Sequence, residues 1–472
     1  MADKLLFRFT RRSFLAALGA TVPMQIAAAC APTPPPAPTP APSKSAEKPA
    51  AAVPVATKKK LVVWGLQYDP HIDRYNALKA AFEQKSGAEI EVQAQPWPLE
   101  TKVIAATASG TQPAIGSIMG VRLLPMYLKK MLFNVSDLFK TWGINPKQTF
   151  VGDSIEAYTY GDQIWGVPVE VNLHGTVGVP VVDVEKAGLK DKVPPTNGKD
   201  FFDSYEHLWE TARALQVKEA DGTVKRWGLS SKGWEPHQLF GIMRSMGVQW
   251  WDREARKFNV KTEAGIAAFK LLIETPVKMG IETEFDQNHM DAALAGKVAL
   301  ARPNATIAGE AKKVGIHYEL TMVPPVKSPV RESDPLLVGE GGWGFVGVKP
   351  ATNEDLVVEW LHFIATEEAQ EIYSHIYGGI PSAWRALNNP DHKRWGDKQD
   401  WVVQSWIRFA KYLDRVTFFG QDLGYLSDVY KHVGAVSSDL RQSKINSEQA
   451  AANLQDLLEQ QYKQYLDDLK KQ

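Results

Sequence analysis

Between residues 61 and 93 the chain changes pattern twice, and that change constrains the fold more than anything else in it. Leu61-Val62-Val63-Trp64 is a short apolar run, which predicts a buried strand. Residues 67–71 predict a loop. Ile72, Tyr75, Leu78 and Phe82 then recur at helical spacing, and Ser86-Gly87 supplies the stop. Glu89-Ile90-Glu91-Val92-Gln93 alternates as a second strand. Strand, helix of about four turns and strand form a βαβ unit, which implies parallel strands and a right-handed crossover. The pattern continues with an Ala- and Thr-rich helix over 99–109 closed by Gly110 and a strand over 115–119. Further strands are predicted over 227–230 and 298–301, and helices over 265–279, 353–366 and 447–469. The class is α/β, and no fixed-period repeat is visible.

The first 60 residues follow other rules. Arg11-Arg12-Ser13-Phe14-Leu15 precedes an apolar stretch that ends in Ala27-Ala28-Ala29 and then Cys30, the single cysteine of the chain. A basic start, an apolar middle and small residues before a cleavage point describe an export signal over 1–29. The apolar part is too short, and too broken by Gly19 and Pro23, to span a membrane comfortably. The paired arginines resemble a twin-arginine signal, with Ala16 where a lysine is common. Residues 27–30 resemble a bacterial lipobox, which implies lipidation of Cys30; Ala27 stands where a leucine is usual. Residues 31–60 carry nine prolines with Ala, Ser, Thr and Lys, a composition that cannot bury a core and predicts a semi-stiff spacer. Fully extended, it would reach roughly 90 Å at ~3.1 Å per residue.

About 410 residues remain, enough for two domains or more. With 54 basic and 54 acidic residues, no global field points to nucleic acid. A chain without further cysteines has no disulfides and no thiolate metal site. The ten histidines show no metal-ligand spacing, so no metal and no cofactor are expected. Gly339-Glu340-Gly341-Gly342-Trp343-Gly344 meets the dinucleotide pattern by letter. It should open a helix, whereas Phe345-Val346-Gly347-Val348 predicts a strand, and Trp343 would crowd a pyrophosphate. No P-loop, H-E-x-x-H or G-x-S-x-G occurs.

From residue 61 to about 467 the chain resembles the extracellular solute-binding proteins of ABC importers, of the maltose-binding type. The marks are Leu61-Val62-Val63-Trp64 leading to Ala81-Phe82-Glu83-Gln84-Lys85-Ser86-Gly87, and Ala108-Ser109-Gly110-Thr111-Gln112-Pro113. Ala114 follows where that family usually has Asp. Others are Ile164-Trp165-Gly166-Val167-Pro168-Val169-Glu170-Val171-Asn172, Glu185-Lys186-Ala187-Gly188-Leu189, Ala295-Gly296-Lys297-Val298-Ala299-Leu300, residues 339–344, and Gly378-Gly379-Ile380-Pro381. The resemblance implies a type II periplasmic-binding fold, with two α/β lobes around a ligand cleft joined by three crossings near 169–172, 338–341 and 379–382. Lobe 1 is expected over 61–169 and 342–378, lobe 2 over 173–338 and 383–472.

Parallel-sheet folds hold ligand at the carboxyl ends of strands, so loops directly after strands supply the candidates. These are Gln67, Tyr68 and Asp69 after the first strand, Arg122 after the third, Glu170 and Asn172 at the first crossing, and Trp234 in Ser231-Lys232-Gly233-Trp234-Glu235-Pro236. Asn304, Glu340, Trp343 and Trp384 complete the set. Carboxylates and amides suit hydroxyl-rich ligands, and indole faces suit sugar rings. Trp250, Trp251 and Trp401 are expected in packing or at the surface. The leading expectation is a monomeric, non-catalytic carbohydrate binder, tethered through Cys30 outside the cytoplasm and serving ABC permease subunits. An alternative keeps that role for a peptide, polyamine or organic anion, since fold does not settle ligand. A remote one is a tethered glycoside hydrolase using Glu170 and Glu340, whose carboxyls would need a separation of roughly 5 to 10 Å.

Overall fold

The computed structural model describes residues 59–171, 174–233, 235–285, 289–302, 307–326, 336–376, 380–382, 400–420 and 423–470. Cys30, the export signal and nearly all of the spacer lie outside the described residues, as do Asn172, Trp234, Asn304 and Trp384.

The expected βαβ unit opens the first sheet. Strand Lys60–Leu66 pairs in parallel with Glu89–Gln95, in register from Lys60 opposite Glu89 to Leu66 opposite Gln95, and with Ile115–Met119 on its other side. Trp343–Gly347 and then Val167–Pro168 complete five strands, both joined antiparallel. The helix between the first two strands spans Asp69–Ser86. It starts three residues before Ile72, so the expected 67–71 loop shrinks to Gln67 and Tyr68. Pro70 explains the early start: its fixed φ suits the first turn, where its missing N–H is not needed. Gly87 ends the helix at φ 69°, donating its N–H to the Glu83 carbonyl. The helix buries Tyr75, Leu78 and Phe82, and the Phe82 ring meets Trp360 edge-on at 5.1 Å. Helices cover the sheet, so every residue of Ile115–Met119 is buried.

The second sheet runs Tyr318–Met322, Thr176–Pro180, Val298–Ala301, Val224–Ser230 and Val217–Lys218. Its two central neighbours, Val224–Ser230 and Val298–Ala301, are parallel, with Trp227 opposite Val298. Helix Tyr205–Leu215 packs close against it, capped by Ser204, whose hydroxyl accepts from the His207 N–H. Gly228 permits that approach, since a Cβ there would lie 2.2 Å from the Ala212 carbonyl oxygen. The helix expected over 265–279 is three segments: an α-helix Glu263–Phe269, a π-helical turn Lys270–Glu274 and a last turn Thr275–Lys278. Pro276 has no N–H to give to residue 272 and its ring crowds that carbonyl, so a wider turn absorbs the fault.

The chain passes three times between the sheets. In the first passage Glu170–Val171 pairs antiparallel with Ile380–Pro381 of the third, Val171 opposite Ile380. In the second, Leu337–Gly339 pairs in parallel with Val416–Phe418. Residues 343–347 form a strand rather than a helix, and Gly341 and Gly342 before it adopt φ 76° and 74°, which excludes the nucleotide-loop geometry. Trp250 and Trp251 are buried and Trp401 half-buried in packing. Among the described residues no helix is long and apolar enough to cross a membrane.

Candidate functional site between the sheets

The three parallel strands of the first sheet end on the same side and deliver three side chains there. Lys60–Leu66 runs out into Gln67 and Tyr68, Glu89–Gln95 leads to Trp97, and Ile115–Met119 turns through Gly120–Arg122. Gly120 is needed for that turn, because a Cβ would stand 2.3 Å from the Cβ of Ala157. Its N–H donates to the Gly342 carbonyl at 3.1 Å and so fixes the strand start that carries Trp343.

These residues form an aromatic run. The Tyr68 and His71 rings lie 5.7 Å apart, His71 and Trp343 4.6 Å, and Trp343 meets Trp97 edge-on at 6.3 Å. Trp343 is 7 % exposed, whereas Trp97 is 45 % exposed. The Arg122 guanidinium carbon stands 4.4 Å from the Trp97 ring centroid, and its Nη1 donates to Glu100 Oε1 at 3.0 Å. A half-bare indole, one face next to a neutralised cation, is therefore built at the sheet edge.

Two buried ionic groups lie behind this surface. Arg74 donates to Glu170 at 3.1 Å and to the Ile376 carbonyl at 2.9 Å, with Tyr373 under its guanidinium at 4.6 Å. Burial pushes the Glu170 carboxyl up, and Arg74 offsets only part of that. The partner that a buried Glu170 requires is thus Arg74. Burial, helped by Arg74, pushes the His71 imidazole well below its ordinary range. His71 Nδ1 lies 3.0 Å from the Tyr373 hydroxyl and 3.3 Å from that of Tyr75.

The second group joins a passage to the opposite wall. Glu340 Oε1 lies 2.9 Å from His174 Nε2, and its Oε2 accepts from the Tyr430 hydroxyl at 2.7 Å. Burial works against ionisation of Glu340, but His174, His237 and the tyrosine outweigh it and hold the carboxyl at about 2. The His174 and His237 rings stand 4.0 Å apart, and His237 Nδ1 is 2.8 Å from the Val338 carbonyl oxygen. The linear spacing of the histidines gave no hint of this group; folding brings His174 and His237 together from 63 residues apart in sequence.

Opposite the aromatic run stand two elements of the second wall. The Tyr68 phenol is pushed up first by burial and then by the Glu310 carboxylate on helix Ile307–Lys313. Helix Leu426–Arg441, which carries Tyr430, packs on the Gly120–Arg122 turn. The far end of that helix anchors Arg441, which donates to Glu235 at 2.8 Å and to Glu282 at 3.0 Å. Glu235 in turn accepts from the Gly233 N–H at 2.7 Å.

Of the residues nominated from sequence, Tyr68, Arg122 and Trp343 come together in one place, with Glu340 in the adjoining cluster. Gln67 is exposed, its N–H donating to the Gln95 carbonyl, and Asp69 is an exposed first-turn residue of the helix. Trp97, His71, Arg74, His174, His237 and Tyr430 were not nominated. Trp97 follows the second strand directly, so the rule that selected Tyr68 and Arg122 covers it as well.

The family model for bacterial extracellular solute-binding proteins matches residues 77–399. No curated protein matches the sequence. Solved structures share the fold over most of the chain. The GacH receptor of Streptomyces glaucescens, known unliganded and with acarbose, superposes with a TM-score of 0.67 at 16 % identity, covering 86 % of this chain and 99 % of its own. MalE of Bdellovibrio bacteriovorus bound to maltotriose gives 0.65 at 16 % identity, with 86 % and 100 % covered. UgpB of Mycobacterium tuberculosis in complex with glycerophosphocholine gives 0.70 at 14 % identity, with 87 % and 100 % covered. Two five-stranded sheets, three passages between them and the match over 77–399 place this chain in the bacterial extracellular solute-binding protein family, with the type II periplasmic-binding fold.

Proposed function

We propose that the protein captures a carbohydrate between two lobes, 61–169 with 342–378 and 173–338 with 383–472, and hands it to ABC permease subunits. The observation that carries the reading is Trp97: an indole 45 % exposed at the strand ends, flanked by Trp343 and by the Arg122–Glu100 pair. A flat apolar face beside paired hydrogen-bonding groups suits a ring with apolar C–H faces and hydroxyl edges, and the adjacent ionic pair is neutral overall. Acarbose and maltotriose in two of the similar structures support a sugar; glycerophosphocholine in the third keeps the ligand class open to test. Closure of the two walls would desolvate whatever lies between them and create the surface a permease can recognise.

Hydrolysis has no support in the geometry. Glu170 is engaged by Arg74, and Glu340 by His174 and Tyr430. The proposal extends to lipid attachment at Cys30, which would hold the monomer near its permease on the spacer and raise their effective concentration.

Native mass spectrometry of protein purified without added ligand, followed by denaturation and analysis of what is released, tests the ligand class. An oligosaccharide mass supports the proposal. Glycerophosphocholine, a peptide or a polyamine as the released species would overturn its carbohydrate part.

A further inference from the structure

We propose that His174, His237 and Glu340 form a binding site for one divalent transition-metal ion of the zinc class, located where two of the interlobe passages meet the second wall. The three side chains are fully buried, and one ligand atom from each lies within 4.8 Å of the other two. Tetrahedral zinc, with bonds of about 2.0–2.2 Å to nitrogen and oxygen, sets its donors roughly 3.3–3.6 Å apart. Here His174 Nε2 is 2.9 Å from Glu340 Oε1, and His237 Nε2 is 3.8 Å from Oε2, so each carboxylate oxygen faces one imidazole.

The surroundings have the character of a metal site. His237 donates through Nδ1 to the Val338 carbonyl, which leaves Nε2 as the lone-pair nitrogen, in contact with the Tyr430 hydroxyl at 2.5 Å and 3.8 Å from Glu340. The Tyr430 hydroxyl stands between His237 Nε2, at 2.5 Å, and Glu340 Oε2, at 2.7 Å, so an incoming ion displaces it or takes it as a further ligand. Two imidazoles with one carboxylate favour zinc, nickel or copper over magnesium or calcium, which prefer all-oxygen shells. Beside His237 a cavity of about 10 Å³, lined also by Gly175 and Gln238, has room for about one water. On binding, the ion takes the place of the hydrogen in the 2.9 Å His174–Glu340 contact.

The ligands come from different parts of the chain. His174 ends the first passage, Glu340 belongs to the second, and His237 sits on helix Glu235–Ser245. An ion here would clamp both passages to one wall and so favour one setting of the hinge. The site does not depend on which solute the cleft takes.

The test uses the full chain stripped with a chelator, then titrated with Zn²⁺ by calorimetry and with Co²⁺ by visible absorption. One equivalent bound, with the intense d–d bands of tetrahedral cobalt and a raised melting temperature, is expected. His174→Asn and Glu340→Gln should each weaken Zn²⁺ binding at least tenfold and abolish the cobalt bands. Absence of one-equivalent binding by the unaltered chain would overturn the proposal, whatever the folding of the variants. So would binding that persists unchanged in folded His174→Asn.

Discussion

At the scale of single residues, His71 shows how a buried ring becomes part of the protein's response to pH. It is buried among Tyr75, Tyr373 and Trp343 and stays neutral, its ordinary proton affinity suppressed first by burial and then by Arg74. The unfolded chain protonates it near pH 6.5. Below that value the unfolded state holds more protons than the folded one, so this residue's contribution to stability is complete above pH 6.5 and shrinks as pH falls. The expected slope is about 1.4 kcal/mol per pH unit for this one group. Urea unfolding at pH 7.5, 6 and 5 should show a smaller pH-dependent loss in His71→Leu than in the unaltered chain; equal losses would contradict the assignment. Sequence could nominate Tyr68, Arg122 and Trp343 because each stands beside a strand that its own apolar run reveals. It could not nominate His71, whose neighbours Trp343 and Tyr373 lie about 270 and 300 residues further along the chain.

At the scale of elements, locality decides what was legible. The strands over 115–119 and 298–301 and the helix over 99–109 fall where periodicity and a closing glycine put them, since those signals sit inside the segment. The π-helical turn before Pro276 was missed because apolar spacing alone does not register a missing N–H two residues into the next turn. The pairing of Leu337–Gly339 with Val416–Phe418 is non-local and leaves no mark in either run. The passages carry a close approach of the same non-local kind. Gly175 has φ 131°, a backbone conformation side chains rarely adopt, and a Cβ there would lie 2.5 Å from Leu337 Cδ2, so the first and second passages touch at a point that favours glycine. Gly175→Ala should cost about 1–3 kcal/mol through overpacking and backbone strain. Pairing it with Leu337→Val should recover part of that cost in thermal unfolding; strict additivity of the two changes would show that the contact is not what limits the site.

At the scale of the whole molecule, the βαβ opening and the ordered family words made the α/β class and the solute-binding family readable before any coordinate. The wall-to-wall contacts were not, because the packing of helix Leu426–Arg441 on the Gly120–Arg122 turn exists only once the chain has folded back on itself. The chain's balanced charge provides no long-range attraction for an ionic solute, which leaves recognition to the local surface around Trp97. The most direct test titrates the unaltered chain and Trp97→Ala by calorimetry against a panel of mono- and oligosaccharides with glycerophosphocholine included. The account predicts saturable binding of at least one carbohydrate, weakened at least tenfold, or about 1.4 kcal/mol, by Trp97→Ala with little change in melting temperature. Saturation by glycerophosphocholine alone, or carbohydrate binding indifferent to Trp97, would contradict it.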